Sequence, residues 1–183
     1  MLRFSASALG LTVMLVSSPL AAQAGNTMSD SDYMAKVSTA APASVTKGAT
    51  IVRMQNDGTT RTLQTGSNGF TCMIAGASDA MCLDGNAMLW AQAWQKHTAP
   101  PDSVGFVYML GGDNGASNSD PFATAPSADN HWVKTGPHVM IVGPPAKMMG
   151  YPATADPDPT KPYVMWPDTP YAHLMIPVAT APQ

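Results

Sequence analysis

The chain contains no glutamate, since all 12 of its acidic residues are aspartate. This excludes the H-E-x-x-H pattern of metalloproteases and every proton shuttle built on Glu. It also lowers the expected helix content, because Glu is a good helix former while Asp favours caps and turns. Charge of either sign is scarce: 11% of residues are charged, against roughly 25% in an average globular protein. No basic run exists, so neither nucleic acid nor an anionic lipid surface is an expected partner. Cysteine is limited to Cys72 and Cys82, whose spacing fits no zinc knuckle. No G-x-S-x-G elbow offers a nucleophilic serine.

Long hydrophobic runs are missing too. The apolar stretch at residues 9–20 is short for a bilayer span, and it lies between Arg3 and the small-x-small triplet Ala22-Gln23-Ala24. That is the pattern of a secretory signal peptide. We expect residues 1–24 to be a signal peptide and residues 25–183 to form one mature α+β domain, periplasmic or secreted, with no transmembrane segment after cleavage. In an oxidising compartment, Cys72 and Cys82 are expected to form a disulfide.

What is present is a loop-rich but foldable chain. Gly and Pro number 15 and 17, while hydrophobic residues reach 45%, too many for wholesale disorder. Ser29 and its neighbours Asp30, Ser31 and Asp32 predict a helix N-cap. Residues 50–55 and 59–65 are β-rich runs joined by Asn56-Asp57-Gly58, a hairpin signal that would set Val52 opposite Leu63. A third strand at residues 70–74 would extend them into an antiparallel meander. Asp84 caps a predicted helix over residues 87–96, with Trp90 and Trp94 on one face. Strands follow at 104–110, 139–142 and 174–178. The fold expected is an antiparallel sheet of about five or six strands, packed on one face against this Trp-bearing helix, with one disulfide tying the third strand to the start of the helix.

Five short words, TGSNGFTC at 65–72, MCLD at 81–84, ASNSDPFA at 116–123, WVKTGPHVMIV at 132–142 and TPYAHLM at 169–175, together resemble an uncharacterised family of small exported bacterial proteins. The resemblance spans about residues 42–178 and implies a single domain. It carries no activity and no site residues.

Methionine is the compositional outlier, 14 in all. Thioethers are adaptable core filler, but they are also soft ligands suited to copper. Two pairs stand apart: His138-Val139-Met140 and His173-Leu174-Met175 repeat one H-x-M spacing inside predicted strands. Positions i and i+2 share a face, so His138, Met140, His173 and Met175 are candidate copper ligands if the strands are neighbours. The competing reading puts Val139, Ile141, Leu174 and Ile176 in the core, with His and Met on a half-buried second face.

The loop at 113–120 is dense in Asp, Asn and Ser, yet its order does not match a calcium loop. A self-bonded surface loop explains it better. Asn118, Asp120, His131, Trp132, Trp166 and Tyr171 are the candidate ligand-lining residues, and Asp129 and His131, two residues apart on a loop, are the candidate acid–base pair. His97 reads as a cation at the end of the Trp helix. These observations favour an exported, non-enzymatic module that binds an unknown small ligand or protein, or acts structurally. A periplasmic copper-binding protein using the H-x-M pairs is the alternative, and a hydrolase-like enzyme using His131 and Asp129 ranks third.

Overall fold

The computed structural model describes residues 28–76 and 78–178. The expected signal peptide and cleavage site lie outside them. Ser29 accepts a hydrogen bond from the Asp32 N–H and starts helix α1, Asp30–Val37; a single turn, α2, follows at Ala43–Thr46. Strands β1 (Thr50–Met54), β2 (Thr60–Gln64), β3 (Thr71–Ala75) and β4 (Asp79–Leu83) come next. Helix α3 spans Gly85–Gln95; the Asp84 carboxylate accepts from the Ala87 N–H and, with its second oxygen, from the Phe106 N–H of the neighbouring strand. One cap therefore fixes the helix to the sheet. Strands β5 (Gly105–Met109), β6 (Ala116–Ser117), β7 (Trp132–Val133), β8 (His138–Val142), β9 (Tyr163–Met165) and β10 (His173–Pro177) follow among the described residues, with a short 3-10 turn at Pro144–Lys147.

Eight of these strands make one sheet in the order β2-β1-β3-β4-β5-β8-β10-β9, while β6 and β7 pair separately. The sheet is mixed and larger than the five or six antiparallel strands expected. The meander fails at its third member: β3 adds to the far edge of β1 and runs parallel to it, Thr50 opposite Thr71 and Ile51 opposite Cys72. Within the hairpin, a register irregularity after Ile51 sets Val52 opposite Thr62 instead of Leu63. Two strands outside the expected set enlarge the sheet: β4, which carries Cys82, and β9 at the far edge.

Cys72 and Cys82 are directly opposite on β3 and β4 and are disulfide-bonded, both fully buried. The bridge thus crosses a hairpin of the sheet; α3 begins only after Leu83.

Both faces of the sheet are covered, not one. On the first face α1 contributes Tyr33 and Val37 to a cluster with Ile51, Cys72, Ala80 and Cys82. On the second, α3 sets Ala87 and Trp90 against Leu83, Val107, Met140 and Val142. Gly105 makes that second contact feasible: a Cβ there would meet the backbone and side chain of Ala87, its Cα at 2.6 Å. The indoles of Trp90 and Trp94 stack on Trp166 at 6.2 and 5.7 Å. Trp166 has a left-handed backbone, φ 54°, uncommon for a bulky residue. Stacking holds it there together with a 2.6 Å bond from its indole N–H to the Ser117 carbonyl.

Candidate functional site

Strands β8 and β10 are antiparallel neighbours with Met140 directly opposite Met175. Directly opposed residues share a face, and alternation then puts His138, Met140 and Val142 together with His173 and Met175 on the face that α3 covers. All five are buried. This reverses the expectation that His and Met occupy a half-exposed side: Val139, Ile141 and Ile176 are only half-buried, although Leu174 is fully buried.

The same register keeps the four H-x-M residues from meeting at one point. His138 is opposite Pro177 and His173 opposite Val142, so the two methionines lie between the histidines. Four residues of strand separate their backbone positions by about 14 Å. That is too far for one ion with bonds near 2 Å to gather both rings from side chains standing roughly perpendicular to the sheet.

Both rings are held alike. His138 Nδ1 is 2.7 Å from the Gly136 carbonyl, and His173 Nδ1 is 3.0 Å from the Tyr171 carbonyl. A carbonyl can only accept, so each Nδ1 carries the proton and each neutral ring keeps its lone pair on Nε2. Burial is the main cause pushing both below the usual histidine range, His173 to about 4. For His138, the Gly136 bond and the carboxylates of Asp113 and Asp79 oppose that shift.

The rings differ at Nε2. The His173 ring meets Trp90 and Trp166 edge-on at 5.3 and 4.8 Å. His138 Nε2 is buried without a hydrogen-bond partner. An unmet buried polar atom costs about 1–3 kcal/mol, so a core needing only volume would gain from Leu or Met at this position.

Beyond the His138 end of the strands lies a polar cavity of about 180 Å³, lined by Lys36, Asp79, Asp113, Asn114, Lys134 and Gly136 among others. Asp113 ends the turn after β5. Its carboxylate accepts from the N–H groups of Gly115 and Thr135, both at 2.9 Å, and burial raises it above the usual Asp range against those bonds. Thr135 shares a 2.8 Å hydroxyl bond with Tyr163, which burial pushes up to about 12. At the opposite end of β8 a less polar groove of about 440 Å³ is framed by Pro100, Pro101, Pro144 and Pro170 with Met148.

The other candidates are mostly structural. Asn118 is buried and donates to the Thr154 and Ala155 carbonyls. Asp120 accepts from the Phe122 N–H in an exposed turn, and Trp132 abuts Gly115. Tyr171 is buried, its hydroxyl donating to the Thr98 carbonyl. None of these residues, nor Trp166, lines either cavity. His131 pairs at 2.8 Å with Asp156, whose side chain is 80% exposed, and among the described residues no ion pair joins it to Asp129. Asp129 sits in a turn and His131 has a left-handed backbone, φ 47°, while Asp156 of the segment after β8 reaches the ring. His97 takes a left-handed backbone and stacks on Phe122 at 3.9 Å.

Residues that sequence reasoning passed over matter more. Met109 is directly opposite His138, and Met165 is directly opposite His173. Their signal was visible, a methionine on the inward alternation of each flanking strand, but which strands flank which is a matter of topology. Among the described residues no group of three or more His, Cys or Asp side chains could hold a metal, so any metal held here would rely on thioethers. Comparison with known proteins brings no relative: no family model matches the chain, and no curated protein or solved structure matches it significantly.

Proposed function

We propose that this protein is an exported, non-enzymatic binding module whose ligand enters at the polar cavity and reaches the His138 end of the sheet. One observation carries the reading. A fully buried, neutral imidazole keeps an unpartnered Nε2 lone pair, and the Gly136 that holds its Nδ1 lines a cavity bearing Asp79, Asp113, Lys36 and Lys134. The signal-like leader supports export, and the Cys72–Cys82 bridge is compatible with an extracytoplasmic location. None of the described helices is long and apolar enough to cross a membrane. The resemblance to small exported proteins agrees with this reading. Against a hydrolytic role, the His131–Asp156 pair is at the surface, away from both cavities.

The test is native mass spectrometry with elemental analysis of the protein purified from its own extracytoplasmic fraction. A bound mass or metal, lost in an Asp113→Ala variant that stays folded, is the expected result. Protein carrying neither, with a thermal midpoint that no small molecule or cation raises, would remove the reading.

A further inference from the structure

The antiparallel register supplies each histidine with two thioethers. On its own strand His138 has Met140 two residues on, and directly across on β5 it has Met109. His173 has Met175 on its own strand and Met165 directly across on β9. The two sets are related by a local twofold at the Met140–Met175 pair, which exchanges β8 with β10 and β5 with β9. All six side chains are buried on one face. Directly opposed Cβ atoms are about 4.5–5.5 Å apart, within reach of one ion for residues as long as His and Met.

The sets differ in what surrounds the imidazole. Around His173 the indoles of Trp90 and Trp166 pack against the ring. Around His138 the Nε2 atom has no partner, and the cavity of Asp79 and Asp113 begins just beyond Gly136. The His138 Nδ1–H is committed to the Gly136 carbonyl. Metal-ligating imidazoles are commonly held this way, the second nitrogen fixed by a carbonyl so that the first presents its lone pair.

Resting on the binding-module reading above, we propose that Met109, His138 and Met140 form a three-coordinate site for Cu(I), reached from the polar cavity. Two thioethers and one neutral imidazole are a soft donor set, which suits Cu(I) and leaves Mg²⁺ and Ca²⁺ without the oxygen ligands they need. A monovalent ion also loses less hydration on burial among apolar side chains than a divalent one. At the cavity mouth Asp79 and Asp113 are balanced by Lys36 and Lys134, so the soft donor set and not the cavity's charge selects the ion. Binding displaces no proton, since Nε2 already carries the lone pair. Stoichiometry is one ion per chain, because the His173 set is closed by tryptophan.

The test is anaerobic titration of the mature, disulfide-bonded chain with Cu(I) against a chromophoric chelator, with Ag(I) as a redox-inert check. The wild type should bind one Cu(I) with submicromolar affinity. Met109→Leu and Met140→Leu conserve volume and should keep the melting temperature, yet each should weaken binding about 10- to 100-fold. His138→Leu should abolish binding, and His173→Leu should leave it nearly unchanged. Methyl resonances of labelled Met109 and Met140, but not Met165, should shift on adding Ag(I). No binding tighter than micromolar, or equal binding by the folded Met109→Leu, Met140→Leu double variant, overturns the copper site. If the protein then still purifies with another bound ligand, only the copper assignment falls; if nothing binds at all, the binding-module reading falls with it.

Discussion

The Tyr33 hydroxyl accepts from the Ile74 N–H and donates to the Val52 carbonyl, both at 2.9 Å. A side chain of α1 thereby links β1 to β3, two strands that run parallel and that no short turn connects. Burial raises the phenol above its usual range, so it stays protonated and able to donate at any working pH. Tyr33→Phe keeps the ring and removes both bonds. We expect it to cost about 1–3 kcal/mol, read as a fall in the urea midpoint with unchanged slope. An unaltered midpoint would show that the helix is held by packing alone.

The Cys72–Cys82 bridge closes a loop with a sequence separation of 10. In the chain-entropy treatment such a loop contributes about 3 kcal/mol, and a domain of this size loses roughly 2–4 °C per kcal/mol. Reduction, or the Cys72→Ala, Cys82→Ala pair, should lower the melting temperature by about 6–12 °C. Thiol titration of native protein should find no free cysteine, and two reactive thiols would refute the bridge in solution.

Much of this architecture is legible in the residues, and the parts that are not share a cause. The Asn56-Asp57-Gly58 turn, the Asp84 cap and the β-branched runs near Val107 and Val139 mark their own elements, because the signals are local. Strand β4 escapes notice since Asp79-Ala80-Met81 has no β-branched residue; its pairing with β3 and the disulfide make it a strand. The parallel partnership of β1 and β3 and the register of β8 on β10 are set by distant segments. In His138-Val139-Met140-Ile141-Val142 either alternate set is apolar enough for a core, so alternation cannot say which face is buried. Helix α3 decides it by covering the His and Met side. Hence both H-x-M pairs were readable, whereas their third partners, Met109 and Met165, depended on strand order.

Gly105 is required by the approach of α3, not by turn geometry. A methyl group there would drive into Ala87, and since both elements are pinned by Asp84, neither can retreat cheaply. Gly105→Ala should cost at least about 2 kcal/mol. Gly85, at the first turn of the same helix, has open space where a methyl group would sit, with nothing within 4 Å; Gly85→Ala should instead stabilise by about 0.4–1 kcal/mol. Thermal melts of the two variants should therefore move in opposite directions, and a shared direction would contradict the packing described.

Stability of the metal-free protein should depend on pH through its buried histidines. His173 is neutral in the fold with its pKa lowered to about 4, and His138 is also lowered, in both cases chiefly by burial. In the unfolded chain each titrates near 6.5. Between these values the unfolded state binds more protons than the native state, so stability falls as pH falls. The contribution is whole above about pH 7, and each unit below 6.5 costs about 1.4 kcal/mol per histidine until the native ring itself is protonated. Asp113, raised by burial, works in the opposite sense: the native state takes up its proton before the unfolded state does, which restores some stability at the acid end. The denaturation midpoint should accordingly drop between about pH 6.5 and pH 4, with the decline easing near the lower limit. His173→Gln should remove much of that slope while lowering stability at neutral pH through lost packing on Trp90 and Trp166. Should the variant keep the full wild-type slope, the pH dependence would belong to other groups and the neutral, buried state of His173 would be wrong.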